Sequence, residues 1–352
     1  MASKHMTRLR WGVLGVAGIA TRKVIPAMQK GNLTTVTAIA SRDPGKARAA
    51  AAALAIQKAY GSYEELLADP EIDAVYNPLP NHLHVPWTIR AAEAGKHVLC
   101  EKPIALSSAE ARTLLDVRGR TGVRIQEAFM VRSHPQWQAA RTLVTDGRIG
   151  DLRAMLGVFS YFNEDPSNIR NVPAFGGGAL MDIGCYLINT SRFITGREPE
   201  RVVGAVERDP KFGTDRVTSM LLDFGGMHLA GTCSTQMVPW QRIQIFGTRG
   251  QIDVRIPFNA PPDRACEIAI DSGKDLYGGG QELLTFPVCD QYTIQGDLFS
   301  RAVLDGTEVP EPLEDSIRNM ECIEAVFRSG ESGRWERPGQ GGGPDSRSCW
   351  TN

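Results

Sequence analysis

Apolar and polar positions in the first 130 residues follow two patterns, short apolar runs and longer amphipathic or alanine-rich stretches. The short runs include LRWGVLGVA, TTVTAIA, DAVYNPLP, HVLCEKP and VRIQEAFM, and turn residues separate them, as is typical of buried strands. Stretches such as PGKARAAAAALA and SSAEARTLLDVRGRTG carry helix formers behind a proline or a capping serine. Strands that alternate with helices predict a doubly wound parallel sheet over residues 7–130.

The pattern changes after residue 130. One more helical stretch, HPQWQAARTLVTDGRIG, precedes runs rich in Val, Ile, Phe and Thr with short turns between them, such as RVTSMLLDF and QRIQIFGTRGQIDVRI. Short connections favour antiparallel pairing. We therefore expect a second, α+β domain with a large open, mainly antiparallel sheet over residues 131–337. Residues 338–352 are rich in glycine and polar side chains, which predicts a disordered tail.

Composition and charge narrow the classes of function. The chain has 352 residues, too many for one ordinary core, with 42% hydrophobic and 22% charged residues and a formal net charge of −1. The charge and the lack of a basic block disfavour a nucleic-acid partner, and no apolar run approaches the roughly 20 residues of a membrane span. The cysteines are odd in number and lack CxxC or ligand spacing, which predicts reduced thiols, a cytoplasmic protein and no metal site.

The first predicted strand runs into the turn GVAGIA. A dinucleotide-binding turn needs a glycine where the chain reverses, a small residue facing the pyrophosphate and a small residue where helix and strand pack. Gly15, Ala17 and Ala20 meet these three needs, and Gly18 and Ile19 complete the turn. Between a strand and a helix, this motif predicts a Rossmann-type dinucleotide site.

The residues after the second strand bear on which dinucleotide binds. An NAD site usually places Asp or Glu there to accept hydrogen bonds from the ribose hydroxyls. Here the strand ends in Ser41 and Arg42, and the acid, Asp43, follows one residue later. A hydroxyl and a guanidinium suit a 2′-phosphate, because arginine offers a planar fork of donors. We expect NADP(H) rather than NAD(H); the alternative is an arginine on a solvated turn.

Two further strand ends point to the same crevice, because the carboxyl ends of parallel strands line the ligand site of a doubly wound sheet. PLPNHLH places Pro80, Asn81 and His84 there, and CEKP places Glu101 and Lys102. We expect all five residues at the cofactor. A single histidine is at least as often a structural residue as a ligand.

In the second domain, GGGALMDIGCY places a carboxylate and a phenol four residues apart. On a helix, Asp182 and Tyr186 share a face. The residues alone leave two readings open, an acid/base pair or a core tyrosine with a satisfied hydroxyl.

Together, GVAGIA, AGKHVLCEKP, EAFMVRSHP and GGGALMDIGCY resemble the Gfo/Idh/MocA family of NAD(P)-dependent oxidoreductases. The resemblance is strongest to the branch with glucose–fructose oxidoreductase, dimeric dihydrodiol dehydrogenase and NADP-dependent xylose dehydrogenases. It implies a Rossmann domain followed by an open-faced α/β domain. It also implies that Lys102 reaches the catalytic centre. In this family the peptide bond between that lysine and the following proline is often cis. Most members carry histidine where this chain has Tyr186, and the sugar and dihydrodiol branch carries tyrosine.

The resemblance implies roles for three residues. An alcohol that loses hydride must also lose its hydroxyl proton, and Tyr186 is the implied general acid/base. Lys102 polarises the substrate oxygen or lowers the pKa of Tyr186, because a nearby ammonium favours phenolate. Asp182 orients one of these two residues.

Further residues are candidates for substrate binding. Glu127 closes the last parallel strand, Asn168 and Arg170 precede the glycines, and Phe258 and Tyr292 lie in later stretches of the second half. Polar hydrogen-bonding groups among aromatic rings suit a polyol, which presents hydroxyls and apolar C–H faces.

The predicted function is an NADP(H)-dependent dehydrogenase or ketosugar reductase acting on a sugar or cyclic polyol. One alternative is an aldose oxidoreductase with tightly bound, internally recycled NADP, and another uses bound NAD for glycoside hydrolysis. A third is a non-catalytic sugar- or NADP-sensing regulator on the same fold, which Lys102 and Tyr186 disfavour. Tyr186 and the Ser41–Arg42 pair disfavour the hydrolase. An open sheet leaves an apolar patch, so we expect a homodimer or homotetramer, without nucleic-acid or membrane partners.

Overall fold

The computed structural model describes residues 8–340, which form two compact units. The first unit comprises residues 8–106, 110–130 and 290–316, and the second comprises residues 107–109, 131–289 and 317–340. The predicted bounds, 7–130 and 131–337, assign residues 290–316 to the second domain, whereas the structure packs them with the first unit. Most of the predicted disordered tail, residues 341–352, lies outside the described residues.

The helices follow the amphipathic and alanine-rich stretches of the sequence. In chain order they are α1 (Ile25–Met28), α2 (Pro44–Ala53), α3 (Tyr63–Ala68), α4 (His84–Glu93), α5 (Ser108–Thr121), α6 (Pro135–Thr145), α7 (Cys185–Thr195), α8 (Gln291–Asp305) and α9 (Leu313–Ser332). Wider, π-helical turns lead into α1 at Ala20–Val24 and into α7 at Leu180–Gly184. Side-chain caps fix several starts; Asp43, for example, accepts hydrogen bonds from the first turn of α2.

The sheet of the first unit has six parallel strands. They are β1 (Leu9–Leu14), β2 (Thr34–Ala40), β3 (Lys58–Tyr60), β4 (Ala74–Asn77), β5 (His97–Cys100) and β6 (Ile125–Glu127), in the spatial order β3-β2-β1-β4-β5-β6. The order reverses between β1 and β4, which is where sheets of this kind bind ligands outside the carboxyl ends of the strands. The predicted doubly wound parallel sheet is confirmed.

The sheet of the second unit has eight strands. They are β7 (Leu152–Phe162), β8 (Arg201–Arg208), β9 (Asp215–Asp223), β10 (His228–Ser234), β11 (Gln236–Gly247), β12 (Gln251–Val254), β13 (Cys266–Asp271) and β14 (Gln281–Phe286). Their spatial order is β14-β13-β12-β11-β7-β10-β9-β8, and only β7 and β10 pair in parallel. The predicted large, mainly antiparallel sheet is confirmed.

Helix α8 completes the core of the first unit. Phe299 packs on Trp11 with 5.2 Å between ring centroids, and the Trp11 indole N–H donates to Ser300 Oγ at 3.1 Å. Asp297 accepts the backbone N–H of Leu33 at 2.8 Å, just before β2. These contacts join residues that lie 264 to 289 positions apart in the chain, so the helix belongs to the first unit although it follows the second sheet in the chain.

Candidate active site

The turn after β1 has the geometry that a dinucleotide phosphate requires. Gly15 has φ +91°, a conformation that residues with side chains rarely adopt, and its N–H donates to Ala40 O at 2.8 Å. A Cβ on Gly15 would lie 3.0 Å from Leu79 Cδ2. The helix begins at exposed Gly18, while Ala20 is fully buried against the strand. An exposed helix start behind a glycine turn fits the pyrophosphate of a dinucleotide.

After β2, the carboxylate of Asp43 is hydrogen-bonded to the start of α2, whereas the side chain of Arg42 is exposed. Asp43 Oδ1 accepts the N–H groups of Gly45 and Lys46 at 2.9 and 3.1 Å and so caps α2. Ser41 Oγ accepts the Asp43 N–H at 3.2 Å, and Arg42 is exposed. The carboxylate is therefore held by the helix start, and Arg42 is the charged group presented where a ribose 2′ substituent is expected.

The turn after β4 holds Pro80, Asn81 and His84. The first two lead into a short helical turn, and Asn81 is half-buried. His84 is buried, with Nδ1 2.7 Å from Pro103 O and Nε2 2.6 Å from Leu79 O. Burial lowers the pKa of His84 to about 4. Both ring nitrogens thus face backbone carbonyls and link this turn to the segment after β5, while a contact of His84 with the cofactor stays a prediction.

Glu101 and Lys102 follow β5 directly. Tyr76 donates its hydroxyl to Glu101 Oε1 at 2.7 Å, and the Lys102 N–H approaches Glu101 Oε2 at 3.3 Å. The Lys102–Pro103 peptide bond is cis, as the family resemblance implies. The half-buried Lys102 side chain therefore starts from a backbone segment that Glu101 helps to hold.

Two predicted substrate residues lie within the first unit. Glu127 is buried at the end of β6, and its Oε1 accepts the Ile104 N–H at 2.7 Å. Tyr292, at the start of α8, packs against the same hydrophobic core as Ala17 and Ile19 of the glycine turn. Burial, and then the charge of Glu101, raise the pKa of Tyr292. The substrate contacts of Glu127 and Tyr292 stay predictions.

Two of the three glycines in GGGALMDIGCY leave room for close neighbours, the backbone carbonyl of Arg170 and the carboxylate of Asp215. The Gly178 N–H donates to Arg170 O at 2.8 Å, and a Cβ on Gly177 would overlap that carbonyl. Gly178 has φ +116°, and a Cβ there would overlap Asp215 Oδ1. The helix that follows opens with the π-helical turn Leu180–Gly184 rather than with the α-helix that the spacing predicts. Such turns are frequent at functional sites.

Asp182 lies in this π-helical turn and holds two side chains. Its Oδ2 accepts the Tyr161 hydroxyl at 2.6 Å and Arg170 Nε at 2.7 Å. The charge of Asp182 raises the pKa of Arg170, and burial raises the pKa of Tyr161. Asn168 Oδ1 accepts the Arg170 N–H at 3.1 Å and so shapes the turn that presents the arginine. An orienting role of Asp182 toward Lys102 or Tyr186 stays a prediction.

The ring of Tyr186 is held by two phenylalanines. Phe159 lies edge-on at 5.8 Å between centroids, and fully buried Phe258 lies tilted at 5.5 Å. These two rings stack on each other at 4.5 Å. Phe258 thus packs behind the phenol, and a contact with substrate stays a prediction. Tyr186 also has an electrostatic interaction with Arg170 that favours the charged guanidinium.

Two residues of this cluster, Tyr161 and Asp215, are not among the residues predicted from the sequence. Tyr161 lies in a mainly apolar strand, so its hydroxyl does not stand out in the sequence. Asp215 stands just before an apolar run, a position where acids in turns are common. A phenol within LGVFSYF was the only available signal for Tyr161. No local pattern marks Asp215, because its partner Leu180 is 35 positions away.

Within residues 8–340, no group of three His, Cys, Asp or Glu side chains is arranged to hold a metal ion. Over the same residues, no helix combines the length and apolar character needed to cross a membrane.

A doubly wound parallel sheet with a glycine turn at its switch point is the architecture of a dinucleotide-binding domain. The family profile described as "Oxidoreductase family, NAD-binding Rossmann fold" matches residues 9–129, and "GFO/IDH/MocA C-terminal domain" matches residues 137–253. The chain belongs to the GFO/IDH/MocA oxidoreductase family. The predicted family, enzyme class and nicotinamide cofactor are confirmed.

Two relatives span nearly the whole chain. An uncharacterized oxidoreductase, ORF334, of Rhizobium meliloti is 49% identical over 332 residues, covering 94% of this chain and 99% of the relative. D-xylose 1-dehydrogenase (NADP(+)) 2 of Haloferax volcanii is 36% identical over 332 residues, covering 92% of this chain and 98% of the relative.

A solved structure shares the whole architecture. KijD10, a 3-ketoreductase from Actinomadura kijaniata in complex with NADP and TDP-benzene, superposes with a TM-score of 0.85 at 31% identity, covering 92% of this chain and 98% of KijD10. Structures of that ketoreductase have also been solved with a tyrosine replaced by phenylalanine and with a lysine replaced by alanine. The chain is therefore similar, over 92% of its length, both to a D-xylose dehydrogenase and to a 3-ketoreductase.

Proposed function

We propose that this protein is an NADP(H)-dependent oxidoreductase acting on a hydroxyl-bearing carbon of a sugar or cyclic polyol, or on the corresponding ketone. The observation that carries the proposal is the cluster around Asp182 and Tyr186. A phenol packs against a stacked pair of phenylalanine rings, one helical turn from a carboxylate that accepts a hydrogen bond from an arginine. This arrangement offers a proton-transfer group with a fixed position and charged neighbours, which alcohol oxidation requires.

In the proposed mechanism, Tyr186 Oη takes the hydroxyl proton during oxidation and returns it to the carbonyl oxygen during reduction. The Lys102 ammonium polarises the substrate oxygen and stabilises the phenolate. Asp182 keeps Arg170 beside the phenol, where its charge also favours phenolate. When bound, NADP(H) accepts or supplies the hydride, and the Gly15 turn and Arg42 would hold its phosphates.

The substrate class is proposed from the polar groups around the phenol. Arg170 and Tyr161 bring donors close to Asp182, and the ring of Tyr186 adds an apolar face. A polyol presents both hydroxyls and C–H faces to such a surface. The names of the relatives, a D-xylose dehydrogenase and a sugar 3-ketoreductase, support the same class.

The proposal is tested by identifying the nucleotide and then the substrate. Mass spectrometry of the denatured, purified protein reports any tightly bound NADP, and absorbance at the nicotinamide band reports turnover with a panel of aldoses, polyols and ketosugars. Turnover that needs added NADP(H) supports the dehydrogenase. Stoichiometric bound nucleotide with turnover only of paired aldoses indicates the internally recycling oxidoreductase. Binding of nucleotide and sugar without turnover of any panel member indicates the regulator and overturns the proposal.

We expect Arg42→Ala to raise the KM for NADP far more than the KM for NAD. The exposed guanidinium is proposed to pair with the 2′-phosphate, which NAD lacks, and a lost charge-assisted pair costs about 1.5–3 kcal/mol, roughly 10- to 100-fold. Steady-state kinetics with both cofactors measures the effect. Arg22→Ala, a neighbouring arginine whose Nε donates to Gly18 O, is the matched control and should not change the NADP/NAD ratio. Equal KM values for NADP and NAD in the unmodified protein would contradict the assignment.

We also propose a homodimer or homotetramer. Large apolar side chains are exposed along the second sheet, among them Leu156 on β7, Trp240 on β11 and Leu283 on β14, each at least 44% exposed. Large exposed apolar patches usually mark interfaces between proteins, and two-fold symmetry is the commonest arrangement. Light scattering at micromolar concentration is expected to give two or four chain masses. A single chain mass there would contradict the proposal, and Trp240→Glu should shift the assembly toward that mass.

A further inference from the structure

Asp215 is a fully buried carboxylate that the proposed mechanism does not use. It begins β9 and is 1% exposed. Its Oδ2 accepts the Leu180 N–H at 2.7 Å and the Thr218 hydroxyl at 2.9 Å. Carboxylates are almost never buried this completely without a specific partner. Here one partner is the first turn of the helix that carries Asp182 and Tyr186.

The backbone around Asp215 is shaped to bring this carboxylate to the helix start. Gly178, two residues before Leu180, has φ +116° and has no room for a Cβ beside Asp215 Oδ1. A negative charge at a helix N-terminus is stabilised by the free N–H groups and by the helix dipole. The glycine and the acid therefore form a clasp, which we define as Gly178, Leu180 and Asp215.

We propose that Asp215 is a positioning residue for Tyr186: its ionised carboxylate fixes the first turn of the catalytic helix and so sets where the phenol stands. This inference rests on the proposed function, because it assigns to Tyr186 the proton transfer described above. The helix backbone links the two residues. Leu180 is held by Asp215, and Tyr186 follows six residues later on the same continuous helix.

The charged groups around Asp215 leave it poised to change protonation. Burial raises its pKa to about 6, while the Leu180 N–H, the Thr218 hydroxyl and Arg208 on β8 act in the opposite direction. Burial, and after it nearby charges that include Asp215, raises the pKa of Tyr161 on β7 and of Cys233 on β10. Arg208 is thus the cation that opposes the burial of Asp215 from a neighbouring strand.

The sign of the stability effect follows from this raised pKa. The folded protein binds the Asp215 proton more tightly than the unfolded chain, so the stability that the proton contributes is lost as the pH rises through about 6. An uncharged asparagine escapes that cost. We therefore expect Asp215→Asn to fold with an unchanged or higher Tm at pH 7.5, so that any catalytic defect does not arise from unfolding.

The test is Asp215→Asn, assayed in the direction of carbonyl reduction from pH 5 to 9. We expect kcat to fall about 10- to 100-fold at pH 7.5 with a small change in KM, since a misplacement on the order of 1 Å costs up to about 10²-fold. The unmodified protein should lose kcat/KM on the acid side with a midpoint near pH 6, and the variant should lose that limb. Asp223→Asn, at the other end of β9 and paired with Arg201, is the matched control and should keep it.

Amide hydrogen exchange provides a readout that needs no substrate. Peptides covering residues 178–186 should exchange faster in Asp215→Asn than in the unmodified protein at pH 7.5, and peptides covering residues 97–106 should not. Faster exchange in a protein that turns over no sugar or polyol supports the clasp and rejects the proposed function. Native exchange and a native acid limb in the variant overturn the clasp. A loss of kcat that comes with a lower Tm and weaker nucleotide binding also overturns it, because Asp215 is then only structural.

Discussion

Tyr186→Phe is expected to lower kcat by about 10²- to 10⁴-fold while nucleotide binding persists, the usual cost of removing a general acid/base. Phenylalanine keeps the ring that packs against Phe159 and Phe258, so packing and Tm should stay close to native. Only the titrating hydroxyl is lost. Steady-state kinetics with the best substrate of the panel, together with the nucleotide Kd, measures the two effects separately.

The pH dependence of this variant gives a second, independent check. In the reduction direction Tyr186 must be protonated to donate, so kcat/KM of the unmodified protein falls as the pH rises through the pKa of the phenol. The variant should lose this alkaline limb. Tyr60→Phe, which removes a hydroxyl that donates to Asp69 at 2.8 Å, is the control and should keep it. Near-native turnover in Tyr186→Phe would make Tyr186 a packing residue and return the search to Lys102, Asp182 or His84.

Lys102→Ala is expected to reduce kcat to a similar extent, because the ammonium is proposed to polarise the same substrate oxygen. The double variant Lys102→Ala/Tyr186→Phe should lose much less than the product of the two single losses, since residues that act as a unit are not additive. Lys96→Met is the matched control. Its Nζ donates to Asp69 O and Ile72 O, so its loss should lower Tm without lowering kcat.

A double variant that shows the full product of the two losses would mean that the two residues act independently. The proposed pair would then be wrong, although each residue could still contribute alone. A Lys102→Ala variant with native kcat and a raised nucleotide KM would move Lys102 from the chemistry to cofactor binding.

The sequence predicts the local elements well because their signals are local. Apolar runs bounded by turn residues predict most strands of both sheets, with β3 and β14 the exceptions, and the Gly15 turn stands where a strand meets a helix. The cis Lys102–Pro103 bond followed from the family resemblance. These features depend on a few adjacent residues, so a single sequence contains the information.

The missed features depend on residues far apart in the chain. The parallel pairing of β7 with β10 and the clasp at Asp215 join segments whose sequences carry no mark of each other. The π-helical turn at Leu180–Gly184 has the composition of an ordinary helix, so its wider backbone arises from the surrounding structure. The sequence also does not predict that Asp43 caps α2. This capping supports Arg42 as the residue that contacts a 2′-phosphate.

The return of α8 to the first unit constrains how this protein is made on the ribosome. Trp11 and the start of β2 lack Phe299, Ser300 and Asp297 until about 300 residues have been synthesised. Domains generally fold in order from the N-terminus. In this protein, however, the first unit cannot complete its core until the second sheet and then α8 have been synthesised. A fragment that stops after β6 lacks these core residues altogether. To produce the first unit alone, residues 290–316 must be joined to it.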